Sequence, residues 1–378
     1  MKEISNHKFQ FKNKPKSAVE AIDQLLAFCI DLGASDLHCD PEEIDIKVRI
    51  RVDGIVYFVG HISRLLYQEF ITRLKILSGT RTDLHFVPQD GRWRATVYGK
   101  FYNIRISFMP TYYGENAVLR ILPAKTEETQ TFTDLGFSHV HNDKITTSLR
   151  LKNGLILVTG PTGSGKTTTL RSCLDHIAGE PISIITLEDP VEYEIQNVRQ
   201  VHIRHDLGVN FASALRSCLR QDPDVIMVGE IRDSETAKIA IHTALTGHLV
   251  LSTLHTNSAL ETIPRLIDMG VDHYLLSSTL RLIISQRLIR KVCSFCHFKT
   301  CQECNFTGYK GRAVIAEVLE IDPRLSQMIY DRADLEELRR HIISKGFISI
   351  YDDACEKVDW GMTTKAEITN ALFKNEKS

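Results

Sequence analysis

The sequence has 378 residues, of which 43% are hydrophobic and 25% are charged; this is typical of a globular chain with two or three domains. Its formal net charge of −1 excludes a strong overall positive field, so composition does not favour direct nucleic-acid binding. No apolar stretch is long enough to span a bilayer, and the N-terminus lacks the apolar core of a signal peptide. We therefore expect a cytoplasmic protein.

The first part of the chain predicts a small α+β domain over residues 18–122. Residues 1–17 before it are polar and rich in lysine, and we interpret them as a solvated tail, with anionic-lipid contact as the alternative. Residues 44–52 alternate strictly between apolar and charged, which predicts a half-buried strand, and Asp53-Gly54 predicts a hairpin turn. The remaining helices are expected at residues 19–32 and 66–77, and the remaining strands at residues 55–59, 93–98, 101–108 and 117–122.

Residues 123–131 are polar and predict a linker. After it, over residues 132–378, apolar strands alternate with helical stretches, which predicts an α/β domain on a mostly parallel sheet. We assign to this domain a cysteine-rich segment at 290–312 and a helical C-terminal part at 320–378. Its strands are expected at residues 155–158, 182–187, 225–228 and 249–253.

A phosphate loop organises the second domain. A β-rich run precedes it and an amphipathic helix follows it, which is the context that nucleotide binding requires and which argues against a chance match. Lys166 is expected to reach the β- and γ-phosphates of ATP, and Thr167 to hold Mg²⁺. The loop is Gly160-Pro161-Thr162-Gly163-Ser164-Gly165-Lys166-Thr167-Thr168.

Acidic residues adjoin two of the predicted strands. The strand at 225–228 has Asp224 before it and Glu230 after it. Glu230 is a candidate to polarise the attacking water or to hold Mg²⁺ through a water; capping a helix or pairing with Arg232 is the alternative. Glu188 follows another strand, at the edge where α/β sheets bind ligands, and a solvated acidic loop is the alternative there.

Two arginines and two histidines are further candidates for phosphate contacts. Arg216 and Arg220 are spaced i, i+4, so we expect them on one helix face, either near the nucleotide or as surface ion-pair partners. His248 and His255 flank an apolar strand and could sense the γ-phosphate, with structural roles as the alternative. Spacing alone decides neither case.

Four of the nine cysteines fall within twelve residues. Cys293 and Cys296 form one C-x-x-C pair, and Cys301 and Cys304 form the other. In a reducing compartment such a knuckle predicts a structural Zn²⁺ site in which all four positions are filled by thiolates. The other five cysteines are scattered and are expected to be core residues.

Several longer motifs occur in one order along the chain. They are Ala34-Ser35-Asp36-Leu37-His38, Pro88-Gln89-Asp90-Gly91-Arg92, Glu188-Asp189-Pro190-Val191-Glu192, Gly229-Glu230-Ile231-Arg232-Asp233, Thr246-Gly247-His248 and Leu254-His255-Thr256-Asn257. From about Ala34 onward, the chain resembles the ATPases that power type II secretion, type IV pilus assembly and DNA-uptake pseudopili (the GspE/PilB group).

This resemblance implies a RecA-like P-loop core, a PAS-like N-terminal domain and a homo-hexameric ring at the inner face of the cell membrane. It implies that Arg105 and Arg120 of the first domain reach the nucleotide, as do Arg216 and Arg220, and that Glu230 is the catalytic glutamate. Glu188 corresponds to an acid near the metal. ATP turnover would change the interdomain angle, and a polytopic inner-membrane platform protein would receive that motion.

The short segment before Ala34 together with the cysteine knuckle resembles most the competence pseudopilus ATPases of Gram-positive bacteria (ComGA-like). We therefore expect a motor for pseudopilus assembly, in DNA uptake or type II secretion. A pilus retraction motor is one alternative, against which the knuckle argues. A RecA-like nucleic-acid translocase is another, and the net charge of −1 does not support it.

Overall fold

The computed structural model describes residues 15, 17–123, 130–179, 181–191 and 194–373, without the side chain of residue 206. By its contacts the chain divides into two units, Met1–Glu127 with Arg290–Gly311 and Glu128–Ile289 with Arg312–Ser378. The knuckle segment thus contacts the first unit, whereas the sequence boundaries assigned it to the second domain. Nearly all of the predicted tail and the middle of the predicted linker lie outside the described residues.

The first unit contains an antiparallel sheet in the order β3-β2-β1-β6-β5-β4. Two helices, α1 (Ala18–Asp31) and α2 (Arg64–Ser78), share one apolar core with it. The strands are β1 (Ala34–Pro41), β2 (Asp45–Val52), β3 (Ile55–Ser63), β4 (Gln89–Val97), β5 (Lys100–Thr111) and β6 (Gly114–Pro123).

The predicted alternation is confirmed within β2, whereas Ile44, expected on the buried face, precedes the strand and is exposed. Ile46, Val48 and Ile50 are buried, whereas Arg49 and the other charged residues between them are only partly covered. One face of the sheet therefore carries the core and the other carries charge. The hairpin at Asp53-Gly54 is also confirmed, with φ of +47° and +82°, as a two-residue turn with both φ values positive requires.

The second unit contains a seven-stranded sheet in the order β13-β12-β7-β11-β10-β8-β9. Its strands are β7 (Gly154–Thr159), β8 (Ile184–Glu188), β9 (Val198–His202), β10 (Val225–Val228), β11 (Leu249–Leu254), β12 (Leu280–Val292) and β13 (Tyr309–Glu320). Its helices are α3 (Phe132–Leu135), α4 (His139–Leu149), α5 (Lys166–Ile177), α6 (Phe211–Cys218), α7 (Ser234–Leu245), α8 (Thr262–Asp268), α9 (His273–Thr279), α10 (Pro323–Tyr330), α11 (Leu335–Ser344), α12 (Ile350–Asp359) and α13 (Lys365–Phe373).

Both faces of this sheet are covered. Along β7, Leu155 and Leu157 belong to one apolar cluster, while Ile156 and Val158 belong to another. Burial on both faces explains why the strand reads as a continuous apolar run instead of an alternating one. The pairs β9–β8, β8–β10, β10–β11, β11–β7 and β7–β12 are all parallel, so the predicted α/β class is confirmed. Within the part of the chain that the structure describes, no helix has the length and apolarity needed to cross a membrane.

Candidate functional site

The phosphate loop connects the end of β7 to the start of α5, as predicted. The residue before the helix, Gly165, has φ of +89°, a conformation that glycine adopts without strain. Gly160 is constrained by packing as well, because a Cβ atom there would lie 2.5 Å from the carbonyl oxygen of Gln286. The loop therefore lies directly against β12, and no side chain fits between them.

Gln286 of β12 holds the loop through its amide. The side chain is fully buried; its Nε2 donates to the carbonyl oxygen of Ser164 over 2.8 Å, and its Oε1 accepts from Thr169 Oγ1 over 2.9 Å. Both ends of the amide are thus used to fix the loop and the first turn of α5. The sequence analysis missed Gln286, for which the only local signal is a polar residue in an apolar run.

Lys166 is buried at the start of α5. Its Nζ donates to the carbonyl oxygens of Gly160 over 2.8 Å and Pro161 over 3.0 Å. Burial lowers the pKa of this amine to about 8; the negative charge of Glu230 acts in the opposite direction, and the positive charge of Arg287 adds to the lowering. The amine is therefore held on its own loop and is poorly solvated.

Glu230 and His255 lie at the same edge of the sheet as the loop. Leu254, the last residue of β11, pairs with Thr159, the last residue of β7. The residues that follow them, His255 and Gly160, therefore lie side by side at the carboxyl edge of the sheet. Glu230 follows β10, and its Oε2 lies 3.9 Å from His255 Nε2. Its other oxygen lies 2.6 Å from the guanidinium of Arg232, as the alternative interpretation of this residue allowed. Burial, reinforced by the charge of Lys166, lowers the pKa of His255.

Glu188 is the last residue of β8 and is buried. Its Oε1 accepts from Thr186 Oγ1 over 2.6 Å and from Gln200 Nε2 over 2.9 Å. The alternative of a solvated acidic loop is therefore wrong for this residue, because the strand extends one position further than its apolar run. Glu192 of the same motif lies outside the described residues.

Two sequence candidates lie at the opposite edge. Asp224 precedes β10 and accepts a hydrogen bond of 2.7 Å from the backbone N–H of Ser183. His248 precedes β11, and its Nδ1 lies 3.1 Å from the carbonyl oxygen of Thr243. Because the strands are parallel, their amino ends are a full strand length away from the phosphate loop. The structure does not bring either residue to the loop of its own chain, which corrects the suggestion that both histidines approach one phosphate.

The predicted arginines lie at three places. The helix expected to carry both Arg216 and Arg220 ends at Cys218, so Arg220 lies beyond it and donates back to the carbonyl oxygen of Arg216 over 3.2 Å. Arg216 lies 2.6 Å from Glu235 as an exposed ion pair. Arg105 and Arg120 belong to the first unit, on β5 and β6, and their approach to a nucleotide stays a prediction.

The four knuckle cysteines are gathered in the first unit. The sulfurs of Cys293 and Cys301 lie 3.8 Å apart, as do those of Cys296 and Cys304, and all four lie within 4.8 Å of one another. Four thiolates at the usual ~2.3 Å from one Zn²⁺ form a tetrahedron with edges of about 3.8 Å. The donor set and its spacing therefore fit a tetrahedral zinc site.

The phosphate loop also has the features that fit a phosphate chain. It opens onto the N-terminus of the twelve-residue helix α5, where unpaired N–H groups attract anions. The Oγ of Ser164 is buried and has no hydrogen-bond partner among the residues that the structure describes. Thr167, at the second position of the helix, is exposed. Backbone donors, a buried cation and an exposed hydroxyl thus surround one opening.

Comparison with known proteins identifies a family. The family model described as "Type II/IV secretion system protein" matches residues 12–370. The chain is 39% identical over 379 residues to the type IV pilus assembly ATPase PilB of Myxococcus xanthus, covering 93% of this chain and 67% of that protein. It is also 39% identical over 377 residues to the type II secretion system protein E of Xanthomonas campestris pv. campestris, covering 93% and 66%.

The chain thus spans about two thirds of the length of these curated relatives. Among solved structures, the pilus retraction motor PilT with bound ADP matches with a TM-score of 0.67 and 30% identity. That match covers 92% of this chain and 95% of the PilT chain.

The lowered pKa of Lys166 predicts that nucleotide binding takes up a proton in mildly alkaline solution. At pH 8.5 an amine of pKa about 8 is roughly three quarters neutral, and bound phosphates favour its ammonium form. We expect an uptake of about half a proton or more when MgADP binds at pH 8.5, and none from this group at pH 6.5. The measurement is calorimetric titration in two buffers of different ionisation enthalpy.

Lys166→Arg is the matched control, because a guanidinium stays charged at both pH values; bound MgADP should then cause no uptake at pH 8.5. Wild-type binding without proton uptake at pH 8.5 would contradict the buried position of the amine.

Proposed function

This chain belongs to the type II/IV secretion system protein family, and on that premise we propose that it is a hexameric ATPase motor. It hydrolyses ATP on the cytoplasmic side of the membrane and drives assembly of a type IV pilus-like pseudopilus. The machine serves DNA uptake or type II secretion. Its mechanical partner is a polytopic platform protein in the inner membrane.

One observation carries the ATPase proposal. The carboxyl edge of a parallel sheet gathers a phosphate loop, a buried lysine, and the carboxylates of Glu188 and Glu230. Glu188 ends β8 and Glu230 follows β10, and these two strands are neighbours, since Val228 pairs with Leu187. A cation for the transferred phosphate and an acid for the attacking water at one edge are the parts that phosphoryl transfer needs.

We assign the roles as follows. The backbone of residues 160–165 and the N-terminus of α5 bind the phosphate chain, and Lys166 exchanges its two carbonyl partners for phosphate oxygens. Thr167 is placed to hold Mg²⁺, which when bound neutralises charge on the β- and γ-phosphates. Glu230 orients and polarises the attacking water, and Glu188 orders the surroundings of the metal.

The fixed backbone around Glu230 favours its role in orienting the attacking water. Thr253 fixes the backbone on both sides of Glu230 through two hydrogen bonds. The Oγ1 of Thr253 donates to the carbonyl oxygen of Gly229 over 2.8 Å, and the carbonyl oxygen of Thr253 accepts from the N–H of Ile231 over 3.0 Å. A carboxylate on such a fixed segment keeps its direction through turnover. His255, across 3.9 Å, is placed to follow the charge that changes when the γ-phosphate leaves.

We also propose that arginines complete the site when nucleotide is present. Arg105 and Arg120 of the first unit and Arg216 and Arg220 of the second are the candidates. The last two are exposed, and the ion pair of Arg216 with Glu235 is a surface contact of small energy, so a phosphate can replace it at little cost.

The cysteine cluster is proposed to hold one structural Zn²⁺. All four ligands are cysteines, so the metal would have no open position and no part in the chemistry. Its contribution is to folding, since a site that is absent in the unfolded chain adds its binding free energy to stability.

Pilus retraction is the second candidate function, favoured by the match to the retraction motor PilT at 30% identity over 92% of this chain. It uses the same chemistry, so the two candidates differ only in which direction the filament moves.

Replacing Glu230 by glutamine separates binding from turnover. The amide keeps the shape of the side chain and cannot polarise water, so we expect nucleotide affinity to stay within a few-fold while turnover falls ~100-fold or more. The measurements are phosphate release and fluorescent-nucleotide titration. Glu320→Gln, an exposed acid at the end of β13, is the matched control and should keep wild-type turnover. Undiminished hydrolysis by the Glu230 variant would remove this residue from its role.

Metal analysis tests the knuckle. We expect about one Zn²⁺ per purified chain. Cys296→Ser should lose most of the metal and lower the melting temperature, whereas Cys355→Ser, outside the cluster, should retain it. A metal-free wild-type protein with a full melting transition would contradict the zinc assignment.

The machine is tested by genetic complementation. The gene is deleted and restored with the wild type, with Lys166→Ala, or with Lys152→Ala, which changes an exposed lysine just before β7. A competence motor would be supported if the deletion strain loses DNA uptake and if the wild-type gene and Lys152→Ala restore uptake but Lys166→Ala does not. If the deletion strain keeps normal DNA uptake but loses secretion or surface filaments, the motor would be assigned to a type II secretion system or a type IV pilus. Accumulated filaments would instead favour retraction.

A further inference from the structure

Five charged residues form one row across the sheet of the first unit. Arg92 pairs with Arg105, Arg105 with Arg120, Arg120 with Asp36, and Asp36 with Arg51. Residues in register on neighbouring strands point to the same face. Four guanidiniums and one carboxylate therefore share the face opposite the apolar core, and we call this set the arginine row.

The arginine row is electrostatically unfavourable on its own. Like charges directly opposite each other on neighbouring strands destabilise a sheet, and three arginines follow one another without an acid in between: Arg92, Arg105 and Arg120. Within the row itself, Asp36 is the one carboxylate among four guanidiniums.

Asp36 is built into the row as a fixed acceptor. Only 7% of its side chain is exposed, against 59% for Arg120. Ser35 Oγ donates to its Oδ2 over 2.8 Å, and Arg51 Nε lies 3.4 Å from the same oxygen. Arg51 is itself tied down by a 2.9 Å hydrogen bond to the carbonyl oxygen of Gly54. One carboxylate oxygen thus anchors the group.

The second oxygen of Asp36 holds Arg120. Its Oδ1 accepts from Arg120 Nε over 3.0 Å. This contact uses the single N–H of Nε, so the N–H bonds at the outer end of the guanidinium stay available to another acceptor. End-on binding through those groups is the bidentate geometry in which arginine recognises phosphate.

We propose that Asp36 is a positioning residue for ATP hydrolysis, which holds Arg120 by its Nε so that the terminal NH₂ groups are presented to the phosphates of ATP. The inference rests on the proposed role of Arg120 in the motor. It explains why a carboxylate is buried in a row that otherwise attracts anions: without it, repulsion from Arg105 and Arg51 would turn the Arg120 side chain away.

The same sheet supplies a matched control. Asp40 and Arg49 lie on the same two strands, β1 and β2, and form an ion pair in which Asp40 Oδ2 is 2.6 Å from Arg49 Nε. Asp40 Oδ1 accepts from Asn116 Nδ2 over 2.6 Å. Asp40→Asn thus removes an equivalent charge from an equivalent pair without touching the contact to Arg120.

The test is steady-state ATPase kinetics of the full chain for Asp36→Asn, Arg120→Ala, the double variant and Asp40→Asn, with the melting temperature of each. We expect kcat to fall about tenfold or more in Asp36→Asn. The double variant should be no slower than Arg120→Ala, because both changes remove one contribution. Asp40→Asn should keep kcat within about twofold, since surface pairs contribute little.

Normal kcat in Asp36→Asn beside a slow Arg120→Ala would overturn the inference and leave the proposed role of Arg120 standing. Additive losses in the double variant would also overturn it, since Asp36 would then act on the fold alone. Normal kcat in Arg120→Ala would remove Arg120 from the reaction and the inference with it, whereas the ATPase assignment is tested separately at Glu230.

If Asp36→Asn folds poorly, Ser35→Ala provides a milder variant. It removes the 2.8 Å hydrogen bond to Oδ2 and keeps the carboxylate. An intermediate kcat at an unchanged melting temperature is expected, and a wild-type kcat would overturn the inference.

Discussion

The close packing of the phosphate loop against β12 is the constraint on which the site depends. A glycine without room for a Cβ and a buried amide with both ends bonded fix the loop before any ligand arrives. Donors that are already in place need not be ordered during binding, so more of the interaction energy is available for the phosphates. Lys166 is hydrogen-bonded to carbonyl oxygens of the loop itself, and these bonds keep the cation in the site and only partly solvated.

The direction of the strands sorts the remaining polar residues. At the carboxyl edge, Glu188, Glu230 and His255 meet the loop; at the amino edge, Asp224 and His248 satisfy backbone groups instead. A parallel sheet therefore separates chemically similar side chains by a whole strand length. The antiparallel sheet of the first unit works differently, because its cross-strand register lines up charges from five strands in one row.

Local sequence patterns were sufficient to predict many of the strands and turns. Strict alternation located β2, and an Asp-Gly pair located its hairpin. Continuous apolar runs located β7, β8, β10 and β11, and with them the loop between β7 and α5, but not the parallel strands β9 and β12. The central strand β1 was missed because its alternation is short and its polar positions, Asp36, His38 and Asp40, look like a turn. Gln286 and the contact between Asp36 and Arg120 were missed for another reason. Their partners lie 122 and 84 positions away in the chain, and no local period records such a distance.

The first unit is discontinuous along the chain, since residues 290–311 join Met1–Glu127. The backbone N–H of Gly311 donates to Asp53 Oδ2 over 3.0 Å across 258 positions. During synthesis at ~5–20 residues per second, the hairpin at Asp53 leaves the ribosome tens of seconds or so before its partner exists. The cysteine segment can therefore join the first unit only after residues 128–289 of the nucleotide-binding unit have been made. Completion of the first unit thus falls within synthesis of the second, between its residues 128–289 and its residues 312–378.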